Sequence, residues 1–394
     1  MASLLIAIIY LAFVSLGLPD SLLGSAWPEM HQQMNVPVQA AGIVSMIVSS
    51  GTIVSALFSE RLIRRLGTGP LVALSVALTV LALFGYSMAT SFWMICAFAV
   101  PYGLGAGAID SALNNYVALN YSSRHLNWLH SFWGVGTIIS PYVMSYSITG
   151  SMGFGGGYRM VGVIQLVILA VLVFTLPVWR KVGKKDVDTS EKKTKPVGVM
   201  GALRTKGVKS LLLAFLAYGA AEATVMLWAS TYLFKTQGIT EEVAAALGSL
   251  FFIGMTVGRF LAGFVSARVG DKNMIRFGYG LGVVGLITVA VLNNSLVFQI
   301  VGFLLIGLGF GPVYPSIIHT MPERFGAEKS QAIIGVQMAT AYVGTTFMPP
   351  LFGLIAGAVG VWLLPYYMLA FVALSVVLIE RRVSRKMQNS KNSI

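Results

Sequence analysis

Two side chains that can exchange protons, Asp110 and His130, lie in an otherwise apolar stretch of the chain. On a helix, one stripe carries the acid together with an amide and two glycines: Gly103, Gly107, Asp110 and Asn114. The glycines allow a neighbouring helix to approach closely, so we expect Asp110 to face the interior of a helix bundle. A second helix carries His130 on the same face as Thr137. An acid and an imidazole on successive helices predict a polar functional site inside a membrane.

The composition requires helices that cross a membrane. Of the 394 residues, 56% are hydrophobic and 10% are charged, and the mean hydropathy is +0.79. A spanning helix needs roughly 20 apolar residues, which leaves room for about twelve. The predicted fold class is an all-α polytopic membrane protein, with twelve transmembrane helices in two pseudo-symmetric six-helix bundles.

The net charge of +13 reflects topology rather than nucleic-acid binding. Lys and Arg cluster in alternate loops, whereas the intervening loops contain only Arg159 and Lys235. The positive-inside rule places the basic loops and both termini in the cytoplasm. We therefore expect a multi-pass protein of the bacterial cytoplasmic membrane whose partners are a small solute and the lipid bilayer, acting as a monomer. The single cysteine, Cys96, has no metal-ligand residues near it in the sequence, so it does not indicate a metal site.

Apolar stretches and one charged stretch divide the chain. The spans are predicted at 4–33, 38–65, 69–90, 92–121, 124–150, 158–180, 208–236, 240–268, 273–293, 296–321, 328–357 and 360–382. A charged segment that includes a proline, 182–207, is predicted to be a cytoplasmic linker. It joins an amino-terminal bundle (1–181) to a carboxyl-terminal bundle (208–382), and a cytoplasmic tail (383–394) follows.

The two halves resemble each other in sequence. The stretch Gly51–Gly67 aligns without a gap with Gly254–Gly270, and GVGTIISP in the first half aligns with YVGTTFMP in the second. Asp20 in the first helix falls one position from Glu222 in the seventh. Repeated halves are typical of transporters, in which the substrate site lies between the repeats near the membrane midplane.

These features resemble the major facilitator superfamily of secondary transporters, over essentially the whole chain. The superfamily motif between helices two and three, Gly-x-x-x-Asp-Arg-x-Gly-Arg, is degenerate here, with Glu60 and Arg61 partly replacing its acid–base pair. The copy between helices eight and nine keeps Gly258, Arg259 and Arg268.

Within the superfamily, the sequence is most similar to the fucose–proton symporter group. That group has an acid in helix one, matched by Asp20, and an acid in helix four, matched by Asp110. It also has a polar residue in helix five, where this chain has His130 in place of an amide. The resemblance implies proton-coupled symport of a sugar by alternating access, with no cofactor beyond the proton gradient.

Asp20 and Asp110 are the predicted proton-coupling residues. Desolvation favours the protonated form of a carboxyl group, so a buried acid can take up a proton on one side and release it on the other. Asp110 has two alternatives: a structural acid bonded to Asn114, or a ligand for another cation. Asp20 is also a candidate for binding substrate, or for capping a helix break at Pro19.

The predicted substrate-binding residues combine hydrogen-bonding and aromatic side chains: Asp20, Asn114, Asn115, Asn127, His130, Trp133, Glu222 and Tyr314. Amides both donate and accept hydrogen bonds, as sugar hydroxyls require. Aromatic side chains also form belts at membrane interfaces, so either aromatic residue has packing as its alternative role. For Glu222, the alternative is packing or an ion pair with an unidentified residue.

Three further expectations concern structure. Arg259 is expected to extend toward the cytoplasmic end or to pair within the loop motif. His319 is expected to be structural. Prolines are expected to break their helices locally, at Pro141, Pro312, Pro315 and Pro349.

Other function classes remain as alternatives. A proton-coupled exporter or a uniporter of an amphipathic molecule would use the same fold, because the sequence does not set direction. An enzyme would need a nucleophile–base set or a metal motif, and neither HExxH, GxSxG nor a P-loop is found. A sensor would need a cytoplasmic output module, for which the linker and the tail are too short.

Overall fold

The structure is a computed structural model that describes residues 2–37, 40–179, 196–239 and 241–391. Within these ranges the regular secondary structure is entirely helical. Most of the predicted linker, 182–195, and the last residues of the predicted tail, 392–394, lie outside the described residues.

The helices of the first half follow the predicted spans, except that α7 begins and ends five to six residues earlier than its predicted span, 158–180. They are α1 (Ala2–Asp20), α2 (Leu22–Gln33), α3 (Ala41–Leu66), α4 (Thr68–Ser87), α5 (Phe92–Asn120), α6 (Ser123–Thr149) and α7 (Gly153–Phe174). The helices that follow are α8 (Gly198–Arg204), α9 (Val208–Gln237), α10 (Glu241–Gly248), α11 (Leu250–Val269), α12 (Asp271–Val291), α13 (Leu296–Phe310), α14 (Val313–His319), α15 (Met321–Phe325), α16 (Ala327–Val359) and α17 (Leu364–Lys391).

The prediction of an all-α polytopic membrane protein is confirmed. In the described part of the chain, 11 helical stretches are long and apolar enough to cross a membrane. Helix α6 has 27 residues and is therefore also long enough, but it is not among the 11. It carries polar side chains along its length, including Asn127 and His130.

The chain forms two compact units. The first comprises Met1–Asn120, Trp128–Val199 and Ala327–Gly335, and the second comprises Tyr121–Asn127, Met200–Gly326 and Val336–Ile394. In the first unit, α5 packs against α3 and α4, and α4 also packs against α7. In the second unit, α13 packs against α11 and α12, and α9 packs against α17. The same three-helix arrangement thus occurs in each unit, as expected from the repeated sequences.

The amino-terminal end of α16 belongs to the first unit. There Ser330 donates a hydrogen bond to the Asn115 side-chain oxygen at 2.7 Å, and Gln331 donates to Ser59 Oγ at 3.0 Å. All four side chains are buried. Polar groups removed from water must be hydrogen-bonded, so these contacts fix the register of this helix end.

The amino-terminal end of α6 belongs to the second unit. His319 contacts Asp271 Oδ2 at 2.6 Å through Nδ1, and its Nε2 lies 3.0 Å from the Tyr121 carbonyl oxygen. Ser123 also donates to Asp271. His319 therefore joins the start of α12 to the turn before α6, which agrees with the structural role expected for it.

The prolines affect their helices differently. Predicted span 4–33 is divided at Ser21, two residues after Pro19, and α13 ends just before Pro312. Helices α6 and α16, however, continue through Pro141 and Pro349, so the predicted breaks there are wrong. A proline removes one helical N–H, and the helix can continue if another donor reaches the carbonyl that is left unpaired.

The degenerate loop motif also differs from expectation. Glu60 pairs with Arg64 at 3.5 Å and accepts the backbone N–H groups of Val197 and Gly198 at 2.9 and 2.8 Å. Arg61 instead lies over the Phe58 ring. Residues four apart on a helix are neighbours, which explains why Arg64 rather than Arg61 reaches the acid.

Candidate functional site

Asp20 is positioned by the helix break that begins at Pro19. Because Pro19 has no N–H, the carbonyl of Ser15, four residues earlier, loses its helical partner. Gln165 of α7 donates to this carbonyl, and Thr79 of α4 donates to the Gln165 side-chain oxygen at 2.8 Å. Two side chains from other helices therefore stabilise the end of α1, where Asp20 is the last residue.

The end of α1 lies in backbone contact with α6. A side chain at Gly17 would overlap the Trp133 carbonyl, and one at Gly136 would overlap that of Val14. Glycines allow this approach, as they do at other helix crossings in membranes. The hydroxyl of Ser21 donates to the Thr137 carbonyl at 2.8 Å. That carbonyl lies four residues before Pro141, so Ser21 supplies the donor that lets α6 continue.

The Asp20 carboxylate accepts hydrogen bonds from two neutral donors. Tyr102 of α5 donates its hydroxyl to Oδ1, and the indole Nε1–H of Trp133 lies 2.7 Å from Oδ2. No ion pair joins Asp20 to a cationic side chain of the described residues. Asp20 is exposed and Trp133 is partly exposed. The carboxyl group of Asp20 is therefore exposed and held in place by two neutral donors.

Asp110 begins a buried chain of hydrogen bonds. The Asn114 amide nitrogen lies 2.7 Å from Asp110 Oδ1, and the Asn114 amide oxygen lies 3.0 Å from His130 Nε2. Because Asn114 donates to the acid through nitrogen, its oxygen accepts from the imidazole, so Nε2 carries the proton. All three side chains are at least nine-tenths buried. The rings of His130 and Phe13 of α1 form a T-shaped pair, with centroids 5.3 Å apart.

Asp20 and Asp110 are both linked by hydrogen bonds to α6, at positions that are close together. His130 and Trp133 are three residues apart, so they lie on one face of α6, about 4.5 Å apart along its axis. Through them, α6 connects Asp110 with Asp20. The structure therefore brings five of the predicted site residues into one polar region of the first unit: Asp20, Asp110, Asn114, His130 and Trp133.

The other predicted residues of α5 and α6 make different contacts. Asn115, the neighbour of Asn114, accepts from Ser330. The Asn127 amide donates to the Ser123 carbonyl at 3.0 Å, within the first turns of α6. A substrate role for Asn115 and Asn127 stays a prediction, and these contacts give both side chains a structural task as well.

Glu222 and Tyr314 lie in the second unit. Glu222 Oε1 is 3.0 Å from the Arg259 guanidinium, which also donates to the Gly311 carbonyl at 3.3 Å. Arg259 is buried rather than extended toward an end of its helix, so that expectation is wrong. The unidentified partner of Glu222 is thus Arg259, because a buried charge is stable only when it is paired. The Tyr314 hydroxyl contacts Met338 Sδ, and its ring packs on Phe215.

The sequence reasoning missed the residues that hold Asp20 from other helices. Tyr102 follows Pro101 directly, and Gln165 is a lone amide in an apolar helix. An amide in a membrane helix is itself a signal for a buried hydrogen bond, and that signal identifies Gln165. Nothing comparable distinguishes Tyr102, because tyrosine is also common at membrane interfaces.

Comparison with known proteins assigns a family. The family model described as Major Facilitator Superfamily matches residues 9–341 and 211–393. Bypass of stop codon protein 6 of Saccharomyces cerevisiae is 23% identical over 401 residues, covering 92% of this chain and 79% of the yeast protein. The glucose/mannose transporter GlcP of Bacillus subtilis is 22% identical over 317 residues, and the match covers 78% of this chain and 77% of GlcP.

A solved structure supports the same fold. FucP, the E. coli fucose:proton symporter, in its outward conformation superposes with a TM-score of 0.77. The match covers 95% of this chain and 98% of FucP, at 14% sequence identity. At that identity the similarity establishes the architecture alone.

Proposed function

Because the chain belongs to the Major Facilitator Superfamily and is a transporter rather than an enzyme, we propose that it moves a small polar solute, a sugar, together with protons. The observation that carries this proposal is the Asp20 carboxylate, exposed and held between Tyr102 and Trp133. The name of the Bacillus subtilis relative, a glucose/mannose transporter, supports a sugar as the solute class.

The surroundings of Asp20 suit a sugar hydroxyl. A carboxylate accepts hydrogen bonds only, and each oxygen retains capacity after accepting one protein donor. The adjacent indole of Trp133 offers an apolar face to the C–H groups of a sugar ring, while its N–H fixes the carboxylate. The solute hydroxyls would bond to Asp20 as the ring lies against Trp133.

The buried chain from Asp110 to His130 supplies the proposed proton link. While Asp110 is ionised, it accepts the N–H of Asn114. A proton on Oδ1 would turn that oxygen into a donor, and the Asn114 amide would then reorient to accept the O–H. That rotation would remove the Asn114 oxygen from His130, which lies one helical turn from Trp133. The protonation of Asp110 would thereby alter the position of the solute-binding side chains.

The proposed cycle is alternating access. The solute binds at Asp20 after Asp110 has taken up a proton, and both leave when the site becomes accessible from the other side. In this proposal the cytoplasmic side lies at the carboxyl-terminal ends of α3, α7 and α11, where the basic loops follow. Both termini would then lie inside, and the membrane would be a bacterial cytoplasmic membrane. A cell that maintains an inward proton gradient would use this cycle for uptake.

Proteoliposomes with a pH-sensitive dye inside test the proposal. Hexoses, deoxyhexoses and amphipathic cations are added one at a time to vesicles that contain purified protein. Internal acidification on adding one sugar is the expected result, and protein-free vesicles are the control. If no sugar changes the internal pH and an added cation makes the interior more alkaline, symport is contradicted and a proton-coupled exporter is favoured.

A further inference from the structure

The two basic residues at the sparsely charged ends of the helices each line a groove. Arg159 lies about 9 Å along α7 from its start, and Lys235 lies two residues before the end of α9. Both ends are opposite to the basic loops. Arg159 lines a groove of about 970 Å³ in the first unit, and Lys235 lines one of about 490 Å³ in the second.

The groove beside Arg159 has an apolar wall and two phenol groups. It is lined by Tyr142 and Tyr146 of α6 and by Val163 and Ile164 of α7. The tyrosines are 74% and 67% exposed, and Arg159 is exposed as well. No described carboxylate forms an ion pair with Arg159. The groove therefore combines a cation that has no carboxylate partner among the described residues with an apolar wall.

The apolar wall of this groove continues along the exposed side of α7. That side carries only apolar large side chains at helical spacing: Val163, Ile164, Val167, Val171 and Phe174. A helix side of this composition is suited to acyl chains. An arginine that extends from it toward the membrane surface brings its guanidinium to the level of lipid head groups.

The groove beside Lys235 repeats these features in the second unit. Trp228 and Trp362 line it with Gly353 and Gly357, and Lys235 is exposed at its edge. Both indole N–H groups donate to backbone carbonyls, at 2.9 and 3.2 Å. The rings are therefore fixed as apolar walls, and tryptophan is enriched at the interface between head groups and acyl chains.

We propose that each groove binds one anionic phospholipid, with its phosphate at Arg159 or Lys235 and an acyl chain along the apolar wall. Charge complementarity selects this occupant, because the lining residues of both grooves include one cation and no acid. The lining residues also include none of the side chains that bond to Asp20 or Asp110, so these sites are separate from the solute site.

Photo-crosslinking with diazirine-bearing lipids tests this proposal. Purified full-length protein in detergent is incubated with phosphatidylglycerol or phosphatidylcholine carrying the same reactive group, and labelled peptides are mapped by mass spectrometry. We expect phosphatidylglycerol to label segments 142–164 and 228–236 preferentially. Arg159→Gln should lower labelling of the first segment about fivefold, because one basic residue near a membrane surface contributes about 1 kcal/mol to the binding of anionic lipid. Labelling of the second segment should not change. Lys235→Gln should do the reverse.

Three controls make the result decisive. Lys209→Gln removes an exposed cation from the opposite end of α9 and should change neither segment. Arg159→Lys keeps the charge and should retain most labelling. Equal labelling by the two lipids, or labelling that is unchanged in both glutamine variants, would overturn the proposal. Loss of labelling in millimolar inorganic phosphate would also overturn it, because the ligand would then be a free anion.

Discussion

Asp20 in the first unit and Glu222 in the second occupy nearly equivalent positions of the sequence repeat, yet their partners differ in charge. Asp20 accepts hydrogen bonds from a phenol and an indole, and it is exposed. Glu222 lies 3.0 Å from a buried arginine. A carboxylate that bonds to neutral donors retains its charge for another ligand, whereas one paired with arginine has already been neutralised.

Under the proposed function, the two units therefore have different roles. The first unit contains the residues proposed to bind the proton or the solute: Asp20, Asp110, Asn114, His130 and Trp133. In the second unit, Arg259 joins Glu222 of α9 to the carbonyl of Gly311, directly after α13. That ion pair connects helices within one unit, as a structural element does. The following predictions test this division.

The largest expected effect is on the stability of the second unit. Arg259→Gln leaves Glu222, whose side chain is only 13% exposed, without its cation, and removing one partner of a buried pair costs roughly 3–5 kcal/mol. We expect a large fall in the thermal unfolding temperature of the purified protein and recovery of most of it in Arg259→Gln/Glu222→Gln. The matched control is Arg276→Gln, which breaks a pair with Glu380 whose side chains are 48% and 33% exposed. An exposed pair contributes about 1 kcal/mol or less. Equal losses in the two single variants would refute a structural role for the buried pair.

The next effect is on solute binding. Asp20→Asn keeps the shape of the side chain but removes its charge, so hydrogen bonds from solute hydroxyls lose roughly 1.5–3 kcal/mol. The dissociation constant of the transported sugar should rise roughly tenfold to hundredfold, measured by equilibrium binding to purified protein. In folded Glu222→Gln protein, the constant should remain close to that of the unmodified chain. Comparable weakening in both variants would show that the solute contacts both acids.

The contacts within single helices could be anticipated from the sequence, because they follow from the spacing of residues along one helix. Asp110 and Asn114 are four residues apart, so their contact follows from helix geometry. The bond between Tyr102 and Asp20 joins residues 82 positions apart, and Arg259 reaches Glu222 across 37 positions. Such pairs depend on which faces of neighbouring helices meet, and this is decided by packing. The amino-terminal ends of α6 and α16 show the same limit. The start of α6 belongs to the second unit and the start of α16 belongs to the first, which the sequence did not predict.

The smallest effects concern the two donors to Asp20. Tyr102→Phe and Trp133→Phe each remove one hydrogen bond, worth about 0.5–1.5 kcal/mol, and keep an aromatic ring in place. Solute affinity should fall about twofold to tenfold in either variant, measured as for Asp20→Asn. When either change is combined with Asp20→Asn, the losses should not add, because the donors act through the carboxylate. Additive losses would mean that the rings bind solute independently of Asp20.

The central claim is that Asp110 carries the proton while the first unit binds the solute. The most direct measurement uses Asp110→Asn protein in liposomes, with proton influx and sugar exchange recorded on the same preparation. Sugar added outside should produce no internal acidification, while radiolabelled sugar inside should still exchange with unlabelled sugar outside. Internal acidification at the rate of the unmodified protein would contradict the claim, because protons would then be coupled to transport without this carboxyl group.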